Sequence, residues 1–465
     1  MFTQIPHYVL NIIEKFQNRD FSIYLVGGCV RDLLLQRPVK DWDFTTNATP
    51  EEILTLFPDG FYDNIFGTVG IPLEVEGETK VLEVTTFRTE HGYKDRRHPE
   101  VRWGKTIDED LERRDFTINA IALQLSSNHP SPLVGEGQGE GNFEIIDPFN
   151  GQTDLQNKII RAVGDPDKRF KEDALRLMRA IRLATELSFT LEKQTLASIS
   201  KDAPLITEIA GERIRDELMR ILASEYPYEG IMLLRNTGLL EHILPELVEG
   251  IGVSQERPGR HHKTDVFTHN VLSLKFCPCS DPIVRFATLI HDIGKPQVAS
   301  TDEEGYVIFH NHEIEGAKMA YHIAQRLRFS KKDRQKVVTL VRWHMFTVDE
   351  KATDAAVRRF IRRVGVENVE DIIDLRIGDR LGSGTQTAES WRLKLFKKRI
   401  EEQLAPAPFS INNLAIDGND VMKELNLKPG PRIGEILQKL FEEVDEDLSK
   451  NTKEYLTQRL YELQR

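Results

Sequence analysis

The sequence predicts an α+β fold: a small β-sheet head followed by an all-α remainder. Two observations carry this. Residues 1–157 alternate short runs rich in Val, Ile, Thr and Phe with turns of Gly, Pro, Asn or Asp, the pattern of strands. From Pro166 onward apolar residues recur at helical spacing, as at Leu175, Met178, Ile181 and Leu183 within Lys171–Leu187, and strand signals become rare. In chain order, strands are expected at Phe21–Val26, Trp42–Thr46, Val69–Glu74, Lys80–Thr86 and Thr117–Leu125. A helix should begin at the double glycine Gly27-Gly28 and run through Leu33–Leu35. Ser126–Asn142, with two prolines and four glycines, reads as a disordered surface insertion. No repeat of fixed period is present.

The 465 residues are 40% hydrophobic and 29% charged, which excludes collagen-like and largely disordered chains. No apolar run reaches the roughly 18–20 residues of a membrane span. Met1–Asp20 mixes acidic and basic residues with apolar ones, unlike a secretory signal. Cys29, Cys277 and Cys279 cannot form a disulfide framework, so a reducing cytoplasm is the expected compartment. The net charge of −12 disfavours nucleic acid when taken alone, but it does not exclude local basic faces.

The first chemical signal follows the first strand. In Tyr24-Leu25-Val26-Gly27-Gly28-Cys29-Val30-Arg31-Asp32 a strand meets a double glycine and then a helix start. Glycines let backbone approach a phosphate, and a helix N-terminus favours an anion. Next comes Asp41-Trp42-Asp43. On a strand, residues i and i+2 share a face, so Asp41 and Asp43 would stand side by side and repel unless a cation lies between them. Mg²⁺ suits one or two carboxylates plus substrate phosphates. Glu83 interrupts the apolar run Val81–Val84 and is either an outward-facing strand position or a third metal ligand.

These residues carry a family resemblance. Gly27-Gly28-X-Val30-Arg31-Asp32 followed by Asp41-X-Asp43 resembles the polymerase-β-type head of bacterial class II tRNA nucleotidyltransferases and poly(A) polymerases. Arg113-Arg114-Asp115-Phe116-Thr117-Ile118-Asn119-Ala120 is similar to that family's ribose-binding motif, and Asp147–Leu155 to its hinge motif. Glu172-Asp173-Ala174-Leu175-Arg176 resembles its nucleotide-selecting motif, and Gly211–Leu218 its supporting helix. The resemblance implies a nucleotidyltransferase head over 1–157 and a helical neck over 158–250. It also implies catalysis by Asp41, Asp43 and Glu83, and nucleotide binding by Gly28, Arg31, Arg114, Asp115, Asp173, Arg176, Arg179 and Arg182.

The selecting motif makes chemical sense by itself. If Lys171–Leu187 is one helix, Asp173 and Arg176 share a face, as a base reader or as an intrahelical salt bridge. Arg offers only donors and ionised Asp only acceptors, which matches the edges of cytosine and adenine. Uracil and guanine present a ring N–H where Arg needs an acceptor. Arg179 and Arg182 extend the stripe, and three arginines in a row suggest a polyanionic ligand. Arg88–Lys105, rich in Arg and Lys with Gly92, Pro99 and Gly104, reads as a mobile basic loop or a solvated one. In the resembling family a loop here is tied to terminal A addition.

The second signal lies further on. His269, His291-Asp292, His312, His344 and Asp379 combine imidazole and carboxylate, a set suited to transition metals. Their order and local contexts resemble the HD phosphohydrolase superfamily, which implies a metal site over 251–400 binding Ni²⁺, Co²⁺ or Mn²⁺. His261, His262 and His310 receive no role. Residues 401–465, with Asn419–Met422 and Leu427–Gly434, look like the tail of HD-containing tRNA nucleotidyltransferases. Basic clusters at Arg326–Lys336, Arg358–Arg363 and Arg392–Arg399 are the expected tRNA phosphate contacts. The resulting expectation is a CCA-adding enzyme using Mg²⁺, CTP, ATP and tRNA, without DNA or membrane. Its alternatives are A addition alone, a poly(A) polymerase, an HD phosphohydrolase with a nucleotide-binding head, or a nucleotidyltransferase that modifies a regulatory protein.

Overall fold

Buried strands build the first sheet. β1 (Ile23–Val26) pairs antiparallel with β2 (Asp43–Thr46), and β2 runs parallel to a long strand that buries Leu82, Val84 and Thr86 on one face. With β3 (Phe61–Tyr62), β4 (Thr68–Val75), β5 (Glu78–Thr86) and an outlying hairpin, β6 (Arg88–Tyr93) and β7 (Pro99–Trp103), the head reaches β8 (Ala122–Leu125) and β9 (Phe143–Ile146). The sheet has seven strands in the order β3-β4-β5-β2-β1-β8-β9. The computed structural model describes residues 5–62, 67–75, 77–93, 99–126, 143–256, 264–346, 352–404 and 410–464.

Helix boundaries follow local chemistry. α1 (His7–Gln17) buries Val9, Ile12, Ile13 and Phe16; α2 (Gly28–Leu34) begins after Gly27. α3 (Pro50–Leu56) starts at a capping box of Thr49 and Glu52, and α4 (Ile107–Glu112) at one of Thr106 and Glu109. α5 (Gly151–Asn157) follows Asp147, whose carboxylate accepts from Gly151 N at 2.7 Å and Gln152 N at 2.9 Å. α6 (Pro166–Glu172), α7 (Leu175–Leu187), α8 (Lys193–Asp202) and α9 (Gly211–Ala223) complete the part of this unit that concerns the site.

Three expectations are corrected here. Thr117–Asn119 forms a 3₁₀ turn, and only Ala122–Leu125 of the expected strand pairs with its neighbours. Within the basic segment Arg88–Lys105, Arg88–Tyr93 and Pro99–Trp103 pair as antiparallel strands with Arg88 opposite Trp103; residues 94–98, Lys94, Arg96 and Arg97 among them, lie outside the described residues. Lys171–Leu187 is two helices, because Asp173 adopts an extended backbone (φ −146°, ψ 106°) that ends α6. The insertion, apart from Ser126, lies outside the described residues.

The chain divides into two compact units, Met1–Pro245 and Glu246–Arg465. In the second, the helices Val266–Phe276, Pro282–Leu289, His312–Arg326, Lys331–Trp343 and Val369–Gly382 pack around a buried polar centre. Beyond it, Val357, Ile361, Ile373, Leu393, Phe396 and Ile400 form one apolar cluster. Val421, Leu440, Val444, Leu456 and Leu460 anchor another near the C-terminus. Among the described residues no helix is long and apolar enough to cross a membrane.

Candidate functional site

The glycine turn and the carboxylates meet on one face of the sheet. Gly27 has φ +78°, which ends β1 and starts α2. A Cβ there would lie 2.9 Å from Arg114 Nη1, too close to fit, and 3.7 Å from Asp43 Oδ2, in ordinary contact. Asp43 opens β2 and is half-buried; Asp41 precedes the strand and is exposed. The expected shared strand is therefore corrected. Leu25 pairs with Phe44, so residues 41 and 42 would face Gly28 and Gly27, which have already turned away into α2. The two aspartates remain electrically coupled. Burial pushes the Asp43 carboxyl up, Arg114 opposes this, and Asp41 adds to the rise.

Glu83 occupies the outward-facing strand position. It is exposed on β5, and it pairs in parallel register with Asp43, which puts the two side chains on the same face. Asp43 and Glu83 thus share a face beside the turn, and Asp41 is electrostatically coupled to Asp43; all three offer hard oxygen donors of the kind Mg²⁺ takes. Cys29 behind them is inert: burial pushes its thiol up to about 12.

The arginines are held by carboxylates. Arg114 donates to the fully buried Asp110 at 3.1 Å, as Arg113 does at 2.6 Å. Burial alone would raise the Asp110 carboxyl, but the two guanidinium groups outweigh it and hold it low. Arg31 bonds Asp32 and, at 3.0 Å, Asn119. Asp115 is buried and accepts from Phe116 N and Asn119; Arg179 Nη2 lies 2.7 Å away.

Asp173 and Arg176 do not share a helix face. The Asp173 carboxylate caps α7 at Leu175 N (3.0 Å) and pairs with Arg213 on α9 at 2.8 Å. Arg176 bonds Glu172 at 2.5 Å and the Arg113 carbonyl at 3.2 Å. Arg182 lies 3.3 Å from Glu217, also on α9. Each arginine of the stripe has a protein carboxylate beside it, so self-repulsion no longer argues for a polyanion. The sequence reading missed Asp110 and the Asp173–Arg213 pair. Asp110 is one of several acidic residues in Asp108–Glu112, and nothing local marks it as the buried one.

The second unit assembles all six expected ligands. His269, His291, Asp292, His312, His344 and Asp379 are buried and converge. His269 Nε2 lies 3.2 Å from His291 Nε2 and 3.3 Å from both Asp292 Oδ2 and Asp379 Oδ1. His312 Nε2 lies 3.2 Å from Asp292 Oδ1 and 3.3 Å from His344 Nε2. His291, His312 and His344 each present Nδ1 to a backbone carbonyl, at 2.8, 2.8 and 2.7 Å. A carbonyl only accepts, so these Nδ1 atoms carry the protons and the Nε2 lone pairs face inward, the arrangement of metal-bound imidazoles. Lone pairs 3.3 Å apart need a proton or a cation between them. The donor set fits a transition metal. Protonation competes for it: burial works against a charged His269, yet hydrogen bonds with Asp292 and Asp379 raise it to about 9, while burial drives His291 down to about 3.

Each expected RNA-facing cluster is paired in part within the protein. Arg358 and Arg362 both reach the buried Asp445, Arg326 pairs with Glu246, Lys336 with Asp281 and Asp371, and Arg399 with Asp354.

Comparison with known proteins identifies the lineage. Residues 23–161 match the poly(A) polymerase head domain, 188–250 the "probable RNA and SrmB-binding site of polymerase A", and 300–460 tRNA nucleotidyltransferase domain 2. The A-adding tRNA nucleotidyltransferase of Deinococcus radiodurans is 35% identical over 438 residues, 90% of this chain and 90% of that one. The chain belongs to the tRNA nucleotidyltransferase family. The CCA-adding enzyme of Geobacillus thermodenitrificans is 41% identical over 242 residues, 52% of this chain; the match spans 55% of that relative's length. The Bacillus stearothermophilus CCA-adding enzyme in complex with CTP superposes with a TM-score of 0.68 at 26% identity, covering 98% of this chain and 96% of that one. The Thermotoga maritima CCA-adding enzyme complexed with tRNA shares the fold, with a TM-score of 0.54 at 19% identity, covering 99% and 97%. A divalent cation in the head is what membership of this family implies.

Proposed function

We propose that the chain adds C and A to tRNA 3′ ends from CTP and ATP without a nucleic-acid template. The observation that carries this is the register of Asp43 with Glu83 on one sheet face, beside Asp41, Arg114 and the Gly27 turn. Asp41, Asp43 and Glu83 would hold Mg²⁺, which supplies positive charge to the attacking 3′-hydroxyl and the departing pyrophosphate. The RNA 3′ oxygen bonds to the α-phosphorus as the bond to pyrophosphate breaks. Arg114, fixed by Asp110, stands where phosphate charge collects, and Gly28 and Arg31 flank it. Asp173 and Arg176, held separately, frame the base; their acceptors and donors match cytosine and adenine edges. The test is a tRNA lacking its 3′ CCA, incubated with labelled CTP or ATP.

A second reading, addition of A alone, is favoured by one observation: the relative matching along 90% of both chains is an A-adding enzyme. A tRNA ending in CC would then accept AMP while one lacking all three residues accepts nothing.

The histidine centre supports a metal-dependent HD phosphohydrolase. His269, His291, Asp292, His312, His344 and Asp379 would hold the metal, which supplies an activated water and neutralises phosphate charge. Attack of water on the phosphorus of a 2′,3′-cyclic phosphate with cleavage of the P–O3′ bond would leave a 2′-phosphate and the free 3′-hydroxyl the head requires. The assay is cyclic-phosphate opening with Ni²⁺, Co²⁺, Mn²⁺ and Mg²⁺ in turn; no hydrolysis with any of them refutes it.

A further inference from the structure

Large apolar side chains on a sheet face usually find cover. Phe61 finds it only in part: it is 46% exposed. Its place in the sheet is specific. Phe61 pairs with Gly70, Gly70 with Glu83, and Glu83 with Asp43, forming one row across β3, β4, β5 and β2. Paired residues in a sheet put their side chains on the same face, so the ring and both carboxylates look the same way. Gly70 is the one member of the row without a side chain. A Cβ there would lie 2.6 Å from the Phe61 ring, so the ring rests on the strand at that point. At about 4.8 Å per strand, the ring sits roughly one strand from Glu83 and two from Asp43.

We propose that Phe61 is a stacking platform for a base of the single-stranded RNA 3′ end that the head extends; this rests on the nucleotidyl-transfer reading above. The sheet order separates two sides of the carboxylates. Arg114, Asp115 and the selecting helix α7, tied to them through Arg179–Asp115 and Arg176–Arg113, lie toward β1 and β8. Displacement at phosphorus is in line, with attacking and leaving oxygens on opposite sides. If the nucleotide occupies the β1–β8 side, the RNA end approaches over β5, β4 and β3, where the ring lies. Unstacked RNA bases seek aromatic faces. Stacking also tolerates any base, which this site needs, because the terminal nucleotide of the acceptor changes after each addition. A hydrogen-bonding reader would reject the acceptor once its last base had changed.

Phe61→Leu keeps an apolar side chain and removes the π face; Phe61→Trp keeps both. The probe is an RNA minihelix lacking CCA, with 2-aminopurine as its 3′-terminal base. Phe61→Leu should raise KM for the minihelix about 10-fold or more. KM for CTP and ATP and the preference among four nucleotides should not change, and Phe61→Trp should restore the RNA KM. Binding to the wild type should quench the 2-aminopurine, and binding to Phe61→Leu should not. Equal RNA KM or equal quenching in wild type and Phe61→Leu overturns the proposal. So does a rise in KM for RNA and nucleotide together with a fall in Tm, which marks a structural role. Absence of any incorporation by the wild type refutes the nucleotidyl-transfer reading instead, and the quenching experiment still decides the platform.

Discussion

Arg213→Ala separates base reading from helix architecture. In the wild type, both Asp173 oxygens are restrained, one by Leu175 N at 3.0 Å and the other by Arg213 at 2.8 Å. Removing the guanidinium leaves a single restraint on a carboxylate whose position sets which base edge it meets. The ion pair is about a quarter exposed on both sides, so its loss costs stability less than about 1 kcal/mol and the fold survives. Discrimination is more sensitive. A base with one polar group left unmatched is penalised by about 1–3 kcal/mol, about 5- to 150-fold in rate. Preference for CTP and ATP over UTP and GTP should fall by a factor in that range, and Arg213→Lys should retain part of it. The assay is competitive incorporation of all four nucleotides onto one RNA acceptor. An intact preference with an equal loss for every nucleotide would show that Asp173 does not read bases, or that the helix cap alone positions it.

Asp43→Asn should abolish nucleotide addition while tRNA binding in a filter assay persists; near-normal incorporation would remove the metal assignment. Asp110→Ala strips the buried partner of Arg113 and Arg114 and should destabilise the head by about 3–5 kcal/mol in urea titrations. Because the folded Asp110 pKa lies below its unfolded value near 3.9, its contribution is present above that value and is lost as pH falls through the folded pKa. The gap between wild type and variant should therefore narrow below about pH 4, and a constant gap would refute the linkage. His291→Ala should lower the metal content measured by mass spectrometry and remove hydrolysis while leaving nucleotide addition intact; loss of both activities would contradict separate sites.

The elements most legible from sequence were those with local signals. Short runs rich in Val, Ile, Thr and Phe between turn residues located β1, β2, β4 and β5, and the six histidine-centre residues were picked out by residue type together with an order resembling the HD superfamily. Two kinds of feature stayed hidden. The break at Asp173 has no Gly or Pro to announce it; it arises where a carboxylate satisfies Leu175 N and a distant arginine on α9 at once. The basic hairpin was read as a loop because charge and glycine outweigh the modest strand propensity of its arms. Asp445, which anchors Arg358 and Arg362, is 87 and 83 residues away from them in sequence, beyond the reach of any local pattern.

The pairing of Arg326, Lys336, Arg358, Arg362 and Arg399 with carboxylates changes what RNA binding by the second unit would depend on. Affinity for a polyphosphate backbone comes largely from the entropy of releasing its condensed counterions, one for each phosphate a free cation neutralises. A guanidinium already beside a carboxylate must exchange one anion for another, and the freed carboxylate then needs its own solvent cation. Fewer ions are set free in total. Binding through these five residues would then weaken only gently with added salt and would depend more on the fit of a folded RNA than on the density of its charge.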